Sequence, residues 1–586
     1  MRPLPISREE FARFLQKARP PSGWPAHIGI ANSGGPDSTC LLFLIQQYIE
    51  DSQISLLESP KRAYSLTVDH ALQASSASMA GESARTATKF HVPHQTMRIP
   101  WGSPPFPPHP DASKAFESTA RFARYSLIWK WMRAEDIGVV AMGHHADDQV
   151  ETALMRLGRK SSELGGRGML RCRRWGMGAK NELEWAGYEG MNRWIIRPLL
   201  EVPKDRILAT CEENELTYVT DSTNFQPDIT LRNALRAIIS SNDQGVNLNT
   251  FPSEIRKHLE AINTAITSFS NLSVDLSSTS ERLRAAIKSI DVFAADIEDQ
   301  VTAQLESVRL PSPPGTLILS SRALQDITNP ILQHALILRV LRYVSFRPWG
   351  TLSAQARRSK HSLDQIVSKV WSPDPFGIDK IRPFAAGGGV LWTSVLVDFT
   401  EGSTNFLDAG GRIKRPNPKL VQSGKIPLGK GTVGWMATRQ PPQNPERMAA
   451  MGLEDTLNVD LTEFLRKGLR NWGRGSEHAP GGPAVLEMLW DCRFLIRFDL
   501  SKMSRRLSSR IRKDKRNGTV VAIRWWSRYY FPKIVFVPED GKTAWSEGEG
   551  REFVIHSTID SHQPSTLSAL RSKQIKLDTR FLDTGP

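Results

Sequence analysis

The string Ser33-Gly34-Gly35-Pro36-Asp37-Ser38 constrains this chain more than any other feature. It follows a short apolar run, Ile28-Gly29-Ile30-Ala31, and precedes a helical pattern from Thr39 to Glu50. A strand, a glycine loop and a helix in that order gather backbone N–H groups and the positive end of a helix around one point, which suits a phosphate. Glycine is required where a Cβ would block the close approach. Ser33 and Ser38 can add hydroxyl donors. The Gly-Lys-Ser/Thr ending of a γ-phosphate-transferring loop is absent, and no lysine in the string is placed to stabilise a moving γ-phosphate. The loop therefore implies ATP with pyrophosphate as the leaving group.

The surrounding sequence repeats the same alternation. Ser65 to Asp69, Val92 to Ile99 and Val139 to Met142 read as strands, and a helix is expected from about Ser113 to Glu135. Strands alternating with helices from about residue 25 to 240 predict a doubly wound parallel α/β sheet, whose ligands lie beyond the carboxyl ends of the strands. Ahead of it, Ser7 and Glu10 have capping-box spacing, opening a helix with Phe11, Phe14 and Leu15 inward. Ile255 to Ser307 and Ile331 to Val344 are helical in pattern, and from about residue 385 short β-like runs appear among Gly, Pro and Trp. Such runs are Val390 to Val397, Phe494 to Phe498 and Ile534 to Val537. With 586 residues to divide, the expectation is a catalytic α/β domain over 1–245, a helical domain over 250–384 and a β-containing domain over 385–586.

Lys and Arg number 76 against 61 Asp and Glu, a net charge of +15 and a pI near 9.7. A polyanion such as nucleic acid is the first partner to consider, a generally basic proteome being the alternative. No apolar run approaches the roughly 20 residues that a membrane span needs. Cys40, Cys172, Cys211 and Cys492 show no metal-cluster or redox spacing, which points to a reducing compartment. Arg2, Arg8, Arg13, Lys17 and Arg19 suggest an organelle-targeting segment, while Glu9 and Glu10 oppose it.

Further strings follow in order. Val68-Asp69-His70-Ala71-Leu72 closes the second strand, and Ala120-Arg121-Phe122-Ala123-Arg124-Tyr125 lies on a helix. Gly143-His144-His145-Ala146-Asp147-Asp148-Gln149-Val150-Glu151-Thr152 follows a strand. Arg197-Pro198-Leu199-Leu200, Asp221-Ser222-Thr223-Asn224 and Arg232-Asn233-Ala234-Leu235-Arg236 complete the set. Arg121 and Arg124 are about one helical turn apart and can address one phosphate together, or simply form a solvated face. Asp148 and Glu151, three apart at the start of a helix, can hold a cationic group between them. Asp37 or Asp147 could hold Mg2+ against phosphates. Adjacent His144 and His145 point apart at a strand end and lack a third ligand, so a phosphate or structural role is favoured over zinc.

Over about residues 25 to 240 these strings resemble the PP-loop ATPases, and within them the tRNA(Ile)-lysidine synthase family. The resemblance implies the PP-loop, adenine-nucleotide α-hydrolase type of fold. It implies ATP as cosubstrate, L-lysine as nucleophile and an isoleucine tRNA with a CAU anticodon as acceptor. The wobble cytidine would be adenylated and then attacked by lysine. By the same resemblance Asp37, Arg121, Arg124 and Arg236 are candidates for catalysis. Ser33 to Ser38, Asp69, His70, Gly143 and His144 are candidates for ATP, Asp148 and Glu151 for lysine, and Arg197 and Arg232 for tRNA.

The match departs in places. Gln73 stands where the family usually has Arg, and Arg159-Lys160-Ser161-Ser162-Glu163-Leu164-Gly165-Gly166-Arg167-Gly168-Met169 replaces its glycine-rich loop, followed by an inserted stretch from Arg171 to Trp194. Lys502, Arg505, Arg506, Arg510, Arg512, Lys513, Lys515 and Arg516 crowd one segment ahead of Trp525, Trp526, Tyr529 and Tyr530. Phosphate contacts beside stacking platforms fit this pattern, with Arg505, Arg506 and Arg512 as candidate tRNA contacts; a solvated basic helix before a half-buried strand fits equally. A tRNA 2-thiolation enzyme of the same class would need paired cysteines, which the spacing lacks, and a decayed tRNA-binding protein is the other alternative. The extended C-terminal region suggests the mitochondrial matrix, with the cytoplasm as alternative. No stable protein partner is expected, and a homodimer is left open.

Overall fold

The computed structural model describes residues 3–52, 58–72, 76–110, 116–158, 165–178, 183, 185–219, 230–240, 250–268, 274–313, 315–350, 360–372, 383–398, 403–407, 413–414, 432–440, 457–472, 484–513, 521–526, 531–536 and 576–581. The chain divides into two compact units, Met1–Glu298 and Asp299–Pro586.

The first unit opens on α1 (Arg8–Lys17), whose N-cap Ser7 accepts a hydrogen bond from the Glu10 backbone at 3.2 Å. Phe11 and Leu15 are its buried residues, packed in one cluster with Leu41 and Ile45. A six-stranded sheet follows: β1 (His27–Ala31), β2 (Arg62–Asp69), β3 (His94–Arg98), β4 (Val139–Met142), β5 (Cys172–Arg174) and β6 (Trp194–Ile196). Their order is β3-β2-β1-β4-β6-β5, and every pair is parallel except β5 on β6. β1 is central and its Ile28 and Ile30 are fully buried, as expected for a parallel sheet covered on both faces. The helices are α2 (Pro36–Ser52), α3 (Ser76–Lys89), α4 (Phe116–Ala134), α5 (Ala146–Leu157) and α6 (Lys204–Glu213). This is the doubly wound α/β architecture expected from the alternating pattern.

Three more helices, α7 (Leu231–Ser240), α8 (Ser253–Thr267) and α9 (Ser280–Val308), extend this unit. Val150 and Leu154 of α5 share a core with Leu235 and Ile238 of α7, Leu259 and Ile262 of α8, and Leu283 and Ile287 of α9. The division of the chain thus falls inside α9, after Glu298, and not between residues 245 and 250.

In the second unit β7 (Arg309–Leu310), β8 (Leu317–Ser320), β9 (Phe384–Ala385), β10 (Val390–Asp398), β11 (Ser403–Leu407), β12 (Ile413–Lys414) and β13 (Thr432–Arg439) form one sheet. The β8 and β13 strands pair antiparallel, Gly434 opposite Ser320, so a sheet crosses the boundary expected at 384–385. Helices α10 (Ser321–Leu324), α11 (Pro330–Val344) and α12 (Lys360–Val370) intervene. Beyond them lie β14 (Val459–Asp460), α13 (Thr462–Trp472), β15 (Val485–Trp490), β16 (Phe494–Asp499), α14 (Arg505–Lys513), β17 (Val521–Trp526), β18 (Phe531–Phe536) and β19 (Lys576–Phe581). Leu465, Leu469, Trp490, Phe498, Leu507, Ile511 and Ile523 join α13, α14 and these two small sheets in one core. No described helix is long and apolar enough to cross a membrane.

Candidate active site

The loop between β1 and α2 is organised by a residue that the motif does not contain. Asn32 is 2% exposed, and its Oδ1 accepts from the Gly34 backbone at 3.0 Å and from Ser38 Oγ at 3.2 Å. Its Nδ2 reaches Ser65 Oγ of β2 at 3.3 Å, so the loop is tied to the neighbouring strand. The Ser33 backbone N–H donates to Ser38 Oγ at 3.1 Å. The N–H groups of Ser33 and Gly34 and the buried Ser38 hydroxyl therefore hold the loop itself, where the sequence suggested that they face a phosphate. A helix starting at Pro36 leaves the Asp37 and Ser38 N–H groups without intrahelical acceptors, and these remain for an anion. Gly34 has φ +79° and a Cβ there would stand 2.5 Å from Ser83 Oγ. A Cβ on Gly143, just past β4, would lie 3.0 Å from the Asp37 carbonyl and the Ser38 nitrogen, so the strand end presses directly on the loop–helix junction.

Asp37 does not stand alone. Lys204 Nζ from α6 is 2.5 Å from Asp37 Oδ1, which brings to the loop a lysine that its own sequence lacks. His145 caps α5: its ring accepts from the Asp147 backbone, and Asp148 Oδ2 accepts from its N–H at 3.1 Å. Its Nε2 lies 3.8 Å from Asp37 Oδ1 and 3.4 Å from Asp148 Oδ2. One imidazole thus spans the loop aspartate and Asp148.

Glu151 is 2% exposed and pairs with Arg232 and, at 2.8 Å, with Arg236 Nε; Arg236 also lies 3.6 Å from Asp148. Two guanidinium groups of α7 thus occupy the carboxylates that the sequence led one to expect around a cationic group. Burial raises the Glu151 carboxyl above its ordinary range against the opposing pull of Arg232 and Arg236. Asp148 is also raised by burial, but His145, His144 and Arg236 together bring it below the ordinary value.

Asp147 fits Mg2+ poorly. Its Oδ1 accepts from Arg284 Nε at 2.5 Å and its Oδ2 from the Lys204 backbone at 3.2 Å, leaving neither oxygen clear. No group of three or more metal-ligating side chains occurs among the described residues. Asp69 accepts from the Ala71 backbone at 2.8 Å and so shapes the turn after β2, where Ala71 has φ +52°. Burial, then Arg124, lowers His70 to about 4, and burial, then Arg197, lowers His144 to about 3. Both imidazoles are neutral at pH 7. Asp221 to Asn224 lie outside the described residues.

The structure also pairs two cysteines that sequence spacing kept apart. α2 packs on α6, which brings the Cys40 and Cys211 thiols next to each other, and Cys211 Sγ donates to the Pro36 carbonyl at 3.6 Å. The neighbouring Cys211 thiol, then burial, raises the Cys40 thiol well above its ordinary value. At 0% and 1% exposure they pack the helices and offer no open cluster site.

In the second unit, α14 turns Leu507 and Ile511 inward and leaves Arg505 and Arg512 exposed. Arg512 Nη2 also reaches the Leu469 carbonyl at 3.4 Å. The side chains of Arg506 and Trp526, with Lys515, Arg516, Tyr529 and Tyr530, lie outside the described residues.

A glycine loop at the carboxyl end of β1, braced by the ends of β2 and β4, is the arrangement of a PP-loop nucleotide-binding domain. Residues 5–242 match the family model described as the PP-loop domain. The same part is similar to tRNA(Ile)-lysidine synthases: 34% identical over 203 residues to that of Rhodopseudomonas palustris, covering 35% of this chain and 51% of the relative. Identity is 35% over 235 residues to that of Bradyrhizobium diazoefficiens, covering 40% and 56%, and 31% over 222 residues to that of Mesorhizobium japonicum, covering 38% and 43%. The match spans about half the length of these relatives.

Proposed function

We propose that the chain ligates L-lysine to C2 of the wobble cytidine of an isoleucine tRNA with a CAU anticodon, at the expense of ATP. The observation that carries this reading is the His145 bridge: the loop aspartate Asp37 and Asp148 of the carboxylate pair are separated by one imidazole. A nucleotide phosphate and an amine held at those two places would lie side by side. In the first step the cytosine O2 attacks the α-phosphorus, an O–P bond forms and pyrophosphate leaves. In the second, the lysine ε-amine attacks C2, loses a proton, and AMP departs with the former O2. Arg121 and Arg124 supply positive charge during activation. Asp148 and Glu151 receive the ammonium in place of the guanidinium groups that they now hold. The similarity to tRNA(Ile)-lysidine synthases supports tRNA as acceptor, and the charge of +15 agrees with it.

The test is incubation with ATP, labelled lysine and a CAU tRNA transcript. ATP-dependent label in the tRNA, with AMP and pyrophosphate as products, is expected; incorporation of sulfur and not lysine would sink the proposal. As a part of the proposal the activity belongs to the mitochondrial matrix. Residues 1–40 fused to a fluorescent reporter would be imported, and a diffuse cytosolic signal would contradict this.

A further inference from the structure

A second anion-seeking arrangement surrounds Tyr125, built partly from the inserted stretch that departs from the family pattern. Arg121 Nη2 donates to Tyr125 Oη at 3.2 Å and its guanidinium lies 5.0 Å from the ring centre, with that of Arg124 at 5.9 Å. β5 pairs antiparallel with β6, Arg173 opposite Ile195, and the register continues where the Arg197 N–H donates to the Arg171 carbonyl at 2.8 Å. Residues 173, 195 and 197 therefore share a face, which brings the Arg173 and Arg197 side chains to one side of the sheet. Just past β5, the Trp175 ring packs on Tyr125 with centres 5.4 Å apart, fixing the inserted segment against α4.

Arg197 is 3% exposed, and although its Nη1 donates to the Leu170 carbonyl at 2.7 Å, its Nε is buried with no acceptor among the described residues. His144 Nδ1, whose ring lies within the influence of Arg197, Arg121 and Arg124, is likewise buried without a partner among them. A buried guanidinium with an unmet donor, beside further guanidinium groups, is short of an anion.

We propose that Arg121, Arg173 and Arg197 around Tyr125 form an oxyanion subsite separate from the 33–38 loop, and that its ligand is a phosphoryl group. Arg121 is shared with the proposed activation step, so the subsite rests in part on that reading, whereas Arg173, on which its test turns, has no part in that step. Tyr125 reports on it. Burial raises the phenol, but Arg121, Arg173, Arg197 and Arg124 together outweigh burial and bring it down to about 8. An anion seated among these cations opposes phenolate formation and drives the value back up.

The experiment follows tyrosinate absorbance of the full chain between pH 7 and 10, subtracting Tyr125→Phe to remove the other seven of its eight tyrosines. Saturating inorganic pyrophosphate is expected to raise the Tyr125 ionisation by about one unit or more. The concentration at half-shift is expected to rise roughly tenfold in Arg173→Ala and less in Arg173→Lys, which keeps the charge but loses the fork. A short single-stranded RNA that produces the shift where pyrophosphate does not would assign the phosphoryl group to an RNA backbone. If neither ligand moves the ionisation, or Arg173→Ala responds at the wild-type concentration, the subsite does not exist.

Discussion

Glu151 is the residue on which the proposed amine half of the site turns, because it is almost wholly buried and its charge is met by two guanidinium groups. Glu151→Gln keeps the shape and removes the charge. Lysine KM is expected to rise about tenfold or more, since a charge-assisted hydrogen bond worth roughly 1.5–3 kcal/mol is removed, while ATP KM stays within twofold; equal change in both would refute a lysine role. His144 carries a pH signature. Its folded value near 3 lies below the unfolded value of 6.5, so the unfolded chain takes up a proton first as pH falls. Its contribution is complete above pH 6.5 and is lost progressively towards pH 3. Melting temperature measured from pH 7 to 4 is therefore expected to fall less steeply in His144→Asn than in wild type. An unchanged slope would mean that His144 titrates normally. The carboxylates and histidines were legible as a string, but their partners were not: Arg232 and Arg236 reach Glu151 from more than 80 residues away, and no spacing rule encodes that.

At the scale of elements, the site depends on how β1, β2 and β4 end together. Asn32 joins β2 to the loop, and Gly143 lets β4 approach it. Asn32→Ala leaves the Gly34 N–H without its acceptor and is expected to lower stability by about 1–3 kcal/mol. Gly34→Ala adds a left-handed alanine, costing roughly 1–2 kcal/mol before Ser83 is displaced. Both should weaken ATP binding about tenfold or more by calorimetry while leaving the far-ultraviolet dichroism intact; wild-type affinity in either would show that the loop shape does not govern nucleotide binding. The strand–loop–helix unit was readable because local pattern decides it: an apolar strand, Pro36 at the first helical position and glycine where φ is positive. Asn32 and Lys204 were not readable. Asn32 looks like an ordinary strand-end residue, and Lys204 meets Asp37 only because α6 packs on α2.

At the scale of the molecule, the proposed catalytic residues lie in the first unit, and the second carries an amphipathic basic helix. Replacing Arg505, Arg506, Arg510 and Arg512 by Gln should lower tRNA affinity and reduce the slope of log K against log salt by about 0.7–0.9 for each phosphate that is no longer neutralised. An unchanged slope would identify α14 as a solvated face. The division after Glu298 was hidden from the sequence because α8 and α9 look like an independent helical run, yet their apolar faces complete the core around α5. The β8–β13 pairing was hidden for a related reason, since more than 100 residues separate its partners. The central claim, lysine transfer through an adenylated cytidine, is tested most directly by the mass of the wobble nucleoside. After incubation with ATP and lysine, the account predicts that cytidine in a CAU transcript gains one lysine less one water and that a GAU transcript is unchanged. An unmodified wobble cytidine after ATP turnover, or one that gains sulfur from an added donor, would contradict it.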